Sequence, residues 1–127
     1  MTTYTFDHLH LCTRDPEATA AFYERMFGAE VIHSTQEGKP RVDVKLGGAM
    51  FFIMDTSQDK KTRPAPQHTH DGLDHIGFAV KNIDAVCAGL EAKGAVLTME
   101  PTTIRPGVRI AFVQGPENVS IELLERT

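Results

Sequence analysis

The sequence predicts an α+β protein: two tandem βαβββ modules that form a half-open β-barrel around a cavity, with the helices outside. Three observations carry that expectation. The dipeptide Asp-His opens a strand-like stretch twice, at Asp7-His8 and at Asp74-His75. Each is followed by one amphipathic helical pattern ending at Gly-Ala (Gly28-Ala29 and Gly94-Ala95), then by three short strand-like runs. Between the halves, "DTSQDKKTRPAPQHTHDG" loses all periodicity and collects charge and proline, as a linker does. Laying the halves over each other also pairs Ala18 with Ala85, Ala21 with Ala88 and Glu24 with Glu91, with a one-residue slip before the Gly-Ala pairs.

The elements follow in order. Tyr4 to Cys12 alternates and is rich in aromatic and aliphatic residues, so it reads as a strand. Asp15 then sits as an N-cap with Pro16 at the first helical position. Ala18, Phe22 and Met26 recur every four residues as the apolar face, and Gly28 supplies the stop. Strands are expected around 30–34, 41–46 and 49–54, with "EGK" and "GG" as turns. In the second half, His75 lies on a strand. Asn82 caps a helix with Ile83, Val86 and Leu90 on one face, and Gly94 ends it. Strands around 95–99, 108–113 and 119–124 complete the module.

The chain has 127 residues, 41% hydrophobic and 24% charged, enough for one compact domain without staples. Module one spans 4–55, the linker 56–72 and module two 73–126. A net charge of −4 gives no electrostatic footprint for nucleic acid or an anionic membrane. The longest unbroken apolar run, Ala49 to Met54, is too short to span a bilayer. "MTTYTFDH" has neither a basic nor an apolar leader region, and Cys12 and Cys87 form no metal or redox spacing, so the cytoplasm is the expected location.

"FDHLHL", "FYERMFGAEV", "LDHIGFAV" and "GVRIAFVQGPENVSIELLE" together resemble the vicinal oxygen chelate superfamily. Its members include glyoxalase I, methylmalonyl-CoA epimerase, the fosfomycin-resistance enzymes, the extradiol dioxygenases and the bleomycin-resistance proteins. The resemblance covers nearly the whole chain apart from the linker. It implies one divalent metal ion (Fe, Mn, Ni, Zn or Co) held by the His of each Asp-His strand and by the Glu of the last strand: His8, His75 and Glu122. A further family ligand, usually Glu or Gln, comes from the strand equivalent to "AMFFIMD". Matching "SIELLE" to "MFFIMD" across the repeat places Phe52 opposite Glu122, and a phenyl ring binds no metal. That departs from the four-ligand sites of glyoxalase I and the epimerase. The resemblance also implies a small-molecule substrate and a homodimer. It leaves open whether His8 and Glu122 meet within one chain or across two, because family members do both.

Two imidazoles and a carboxylate suit Fe(II), Mn(II), Zn(II), Ni(II) or Co(II) and leave coordination positions open. The plain alternative is three unrelated polar residues on strands. His10 shares a face with His8, because strand side chains alternate with period two. It reads as an acid or base near the metal, as a hydrogen-bonded cavity histidine, or as a substitute ligand. Cys12 continues that face near the position where glyoxalase I carries a glutathione-anchoring arginine, and is expected to be buried and inert. If Val42, Val44 and Leu46, and likewise Val108, Ile110 and Phe112, pack beneath the helices, then Asp43, Lys45 and Arg109 face the cavity. Arg109 would then suit a substrate carboxylate or phosphate, so the substrate is expected to be anionic. Asp43 or Lys45 could take part in proton transfer, or all three could belong to a solvated, charge-paired face. Met50, Phe52 and Met54 read as core or cavity wall in a strand buried on both faces, with Phe52 lining the substrate. His68 and His70 read as exposed loop residues.

The leading expectation is a metal-dependent lyase or isomerase that moves a proton beside a metal-bound carbonyl or enediolate oxygen. A 2-His-1-carboxylate set also suits a non-haem Fe(II) dioxygenase or a fosfomycin-resistance-like transferase. A metal-free drug- or metabolite-binding protein of the bleomycin-resistance type needs no such triad.

Overall fold

The computed structural model describes residues 3–127. The elements are β1 (His8–Thr13), α1 (Pro16–Phe27), β2 (Glu30–Gln36), β3 (Lys39–Leu46), β4 (Ala49–Asp55), β5 (His75–Ala79), α2 (Ile83–Ala92), β6 (Leu97–Arg105), β7 (Val108–Gln114), a short 3-10 turn (Pro116–Asn118) and β8 (Ser120–Arg126). This is βαβββ twice. The first compact unit ends at Thr62 and the second is Arg63–Thr127. Each holds a four-stranded mixed sheet of the same topology, β1-β4-β3-β2 in one and β5-β8-β7-β6 in the other. β1 runs parallel to β4, β5 runs parallel to β8, and the remaining pairs are antiparallel. Residues 56–74 carry neither helix nor strand.

Local chemistry explains the boundaries. The Asp15 carboxylate accepts from the Ala18 amide at 3.1 Å, an N-cap worth about 1 kcal/mol. Gly28 adopts the left-handed region (φ 71°), so the Gly28 amide reaches Glu24 O and the Ala29 amide reaches Tyr23 O, closing the end of α1. Glu37-Gly38 and Gly47-Gly48 both have positive φ at each central position, as two-residue hairpins require. The first strand is shorter than expected. β1 begins at His8, opposite Met50, one residue into β4, and Tyr4 and Phe6 stay exposed. β6 is longer than expected, because as an edge strand with register shifts it accommodates Pro101 and the missing N–H.

In the first unit Tyr23, Phe51 and Val44 are fully buried, with the Tyr23 and Phe51 rings edge-on at 5.6 Å. Each such large side chain contributes about 1.5–3 kcal/mol by burial. The stripe of α1 that packs on the sheet is Thr19, Ala20 and Tyr23. The expected face is displaced by one position: Ala18 is exposed, and Phe22 and Met26 flank the seam. In the second unit Ile83, Cys87 and Leu90 of α2 are buried, as are Ala111, Val113, Ile121 and Leu123 of the sheet. Among the described residues, no helix is long and apolar enough to cross a membrane.

Candidate metal centre

Strand alternation sorts each sheet into a helix-facing side and an opposite side. In the second unit, Ile121 and Leu123 take the helix side, which leaves His75 and Glu122 on the other. His75 Nε2 lies 3.6 Å from Glu122 Oε1. Glu122 faces Gly77 in the register, and its Oε1 lies over that glycine at a distance where a Cβ would make ordinary van der Waals contact, 3.5 Å. The Phe112 ring meets His75 edge-on at 5.2 Å and holds the imidazole from a second side.

The carboxylate of Asp74 can only accept, so His75 Nδ1–H donates to Asp74 Oδ2 at 2.8 Å. In the neutral ring this leaves the lone pair on Nε2, the atom turned toward Glu122. Hydrogen bonding from His75, the largest influence, holds the Asp74 carboxyl below the usual carboxylate range. An imidazole lone pair and a carboxylate oxygen 3.6 Å apart repel each other unless a proton or a cation lies between them. Two metal–ligand bonds of about 2.1 Å at a tetrahedral angle separate their donor atoms by about 3.4 Å, so the pair fits a divalent ion.

The first unit repeats half of this arrangement. His8 Nδ1–H donates to Asp7 Oδ2 at 2.6 Å, which again leaves the lone pair of the neutral ring on Nε2. Across the sheet Phe52 replaces the carboxylate, its ring 4.2 Å from that of His8. The register confirms the equivalence: Phe52 pairs with His10 on β1 as Glu122 pairs with Gly77 on β5. His10 is exposed, with its ring 6.2 Å from that of His8. Among the described residues no three His, Cys, Asp or Glu side chains gather into a cluster able to hold a metal; the assembled part is the His75–Glu122 pair.

The remaining expected site residues divide. Asp43 and Lys45 do lie on the side away from α1, since Val42 and Val44 are buried beneath it. Lys45 is exposed. Asp43 is buried, its carboxylate accepting from Arg41 Nε at 2.9 Å and from the Ile53 amide at 3.0 Å. Arg109 is oriented opposite to expectation. Its Nη2 donates to Asp84 on α2 at 2.8 Å and its Nη1 to Thr103 at 2.9 Å, so it shares the helix side with Ala111 and Val113. Both sides of β7 are apolar enough to be core, and alternation alone does not choose between them. Cys12 is exposed rather than buried, because it lies on the His8–His10 side of β1. Met54 is exposed and Phe52 partly exposed, so β4 is buried on the Phe51–Ile53 side only. His68 is anchored, with Nε2 donating to Asn118 O at 3.0 Å.

Three contributors were missed from the sequence. Asp7 and Asp74 orient the histidines, and the signal was their place directly before each one. Arg41 shares the face of Asp43 and Lys45 by the same alternation, two residues earlier in "RVDVKL".

With the fold and this geometry in place, the class is defined: residues 5–123 match the Glyoxalase/Bleomycin resistance protein/Dioxygenase superfamily, and the chain belongs to it. Among individual relatives, the uncharacterized protein YwkD of Bacillus subtilis is 29% identical over 127 residues, 94% of each chain. Lactoylglutathione lyase of Schizosaccharomyces pombe is 28% identical over 97% of this chain, which spans 45% of that protein. Of solved structures, a glyoxalase family protein from Enterococcus faecalis aligns with TM-score 0.73 and 26% identity, covering 95% of this chain and 97% of that one. The fosfomycin resistance protein FosX of Listeria monocytogenes shares the fold, with TM-score 0.76 and 21% identity over 99% of this chain and 94% of its own.

Proposed function

We propose that the protein is a small metal-dependent enzyme of the glyoxalase-like type, a lyase or isomerase that moves a proton beside a substrate carbonyl. The observation that supports this reading is the His75–Glu122 pair, with Nδ1 of the imidazole tied to Asp74. His8, held in the same way by Asp7, is the proposed third ligand. A divalent ion held there supplies Lewis-acid polarisation of a substrate oxygen, which makes a neighbouring C–H more acidic. Asp7 and Asp74 fix tautomer and ring orientation, and Phe52 walls one side of His8 with an apolar surface. His10 is the group proposed to take up and return the proton. The substrate is a small molecule, and Cys12 at the glutathione-anchoring position argues that it is not a glutathione adduct. A homodimer in the cytoplasm is the proposed setting.

A second reading draws on Phe52. With an aromatic ring at the fourth-ligand position, the donor set is two histidines and one carboxylate, which suits a non-haem Fe(II) dioxygenase or a fosfomycin-resistance-like transferase.

Elemental analysis of protein purified without chelators, beside His75→Ala/Glu122→Ala, tests both readings. Near-stoichiometric metal that disappears in the variant supports an enzyme. Iron with iron-dependent O₂ uptake selects the dioxygenase, whereas another ion without O₂ uptake selects lyase, isomerase or transferase. No metal, and no uptake when each ion is supplied, sinks the enzyme reading in favour of a binding protein of the bleomycin-resistance type.

A further inference from the structure

β3 pairs with β2 from Lys39 to Lys45, but its pairing with β4 stops at Asp43–Phe52. Beyond that point the strands part. Asp43 continues the ladder with its side chain, Oδ1 accepting the Ile53 amide at 3.0 Å. The parting opens a cleft of about 680 Å³, whose lining includes Arg41, Lys39, His10 and the start of α1.

Arg41 is held rigidly within this lining. Its Nε donates to Asp43 Oδ2 at 2.9 Å and its Nη1 to Gln36 at 3.1 Å, while the guanidinium carbon lies 4.9 Å from the centre of the Phe52 ring. These contacts fix the plane of the fork and leave Nη2 with no protein partner among the described residues. Lys39 has no ion-pair partner among them either. The lining also carries carboxylates, and their hydrogen bonds aim them at other groups: Asp15 accepts from the Ala18 amide, Glu17 from His33 and Asp55 from the Ser57 amide. They and Glu37 at the hairpin tip stay negative, so an anion is held by the directed N–H of Arg41 rather than by the net charge of the cleft.

We propose that this cleft binds the oxyanion end of the substrate, a carboxylate or a phosphate, with Arg41 as its anchor and Lys39 as a second cation. His10 lines the same cleft, so an anion at Arg41 holds the rest of the molecule beside the proposed proton carrier. The inference rests on the proposed function only in calling the ligand a substrate; binding of the anion requires no metal. It also moves the anion anchor expected at Arg109 to the other unit.

The test is an NMR titration of the full, metal-free chain with inorganic phosphate and, separately, with glycolate. Saturable shifts are expected at the Arg41 side chain and at the amides of residues 36–42 and 53–55. R41Q weakens binding at least about tenfold, because a charged hydrogen-bond partner is lost. R41K restores part of it. K39Q changes an exposed side chain, keeps the fold, and weakens binding by about two- to fivefold. R109Q leaves it unchanged. The better of the two probes separates a phosphate from a carboxylate. Absent shifts, or shifts equal in wild type, R41Q and K39Q, overturn the site. Anion binding without any metal uptake removes the proposed function and leaves the cleft; metal uptake without anion binding does the reverse.

Discussion

Phe52 packs its ring 4.2 Å from that of His8, in the register position that Glu122 occupies beside His75 in the second unit. One topological slot is therefore aromatic in one sheet and a carboxylate in the other. Replacing Phe52 by Glu is expected to add a donor and tighten Mn(II) or Ni(II) binding by about tenfold or more, about 1.4 kcal/mol. The metal-free protein should melt earlier, since the new charge stands across from buried Asp43, the cross-strand partner of Phe52. Calorimetric titration and thermal melting check the two effects. Unchanged affinity would show that position 52 does not reach the ion.

Asp74→Ala leaves His75 Nδ1 without its acceptor, while the edge-on Phe112 ring still supports the imidazole. Metal affinity should fall by about 10–100-fold with circular dichroism unchanged. Asp7→Ala should act in the same direction at His8. Asp74→Asn, whose amide oxygen still accepts, should retain more affinity than the alanine variant. Equal affinity in Asp74→Ala and wild type would show that the carboxylate does not set the ring.

Tyr23 is fully buried, and its hydroxyl has no hydrogen-bond partner among the described residues. Tyr23→Phe removes an unsatisfied group and should be neutral or stabilising by about 1 kcal/mol. Tyr23→Ala, which empties the same space, should cost about 3–5 kcal/mol. Burial raises the phenol pKa far above its ordinary value, so Tyr23 ionises more easily in the unfolded chain. Its contribution is complete below about pH 10 and declines as pH rises beyond that. Chemical denaturation between neutral and strongly alkaline pH should show less alkaline loss in Tyr23→Phe than in wild type.

The two thiols should separate cleanly. Cys12 is exposed, whereas burial, then the charges of Glu100, Glu91 and Asp84, push the Cys87 thiol upward. Because the thiolate is the reactive form, a disulfide reagent at mildly alkaline pH should label one thiol per native chain quickly and the second only after unfolding. Cys12→Ser should abolish the fast phase. A fast phase that survives would mean that Cys87 is accessible.

Much of this architecture could be read from residues whose conformational demands are local. Asp15, Pro16 and Gly28 mark α1, the paired turns mark two hairpins, and the repeated Asp-His marks equivalent strands. What eluded the sequence depended on contacts between elements. Arg109 points to the helix because Asp84 awaits it there, and alternation cannot tell which side of β7 carries the helix. Arg41 obeys the same alternation as Asp43, but its importance comes from the early end of the β3–β4 ladder. The start of β1 follows its pairing with β4, which begins at His8–Met50, and the aromatic residues before it lie outside that ladder.

Among the described residues, every backbone ladder closes within its own half of the chain. Such halves behave as heritable blocks: a duplication copies a whole sheet with its helix, and an exchange of halves between two chains breaks no ladder hydrogen bond. Once copied, each block diversifies at its own pace. A carboxylate can persist at position 122 while its twin at position 52 becomes aromatic, and neither change disturbs the pairing of the other sheet.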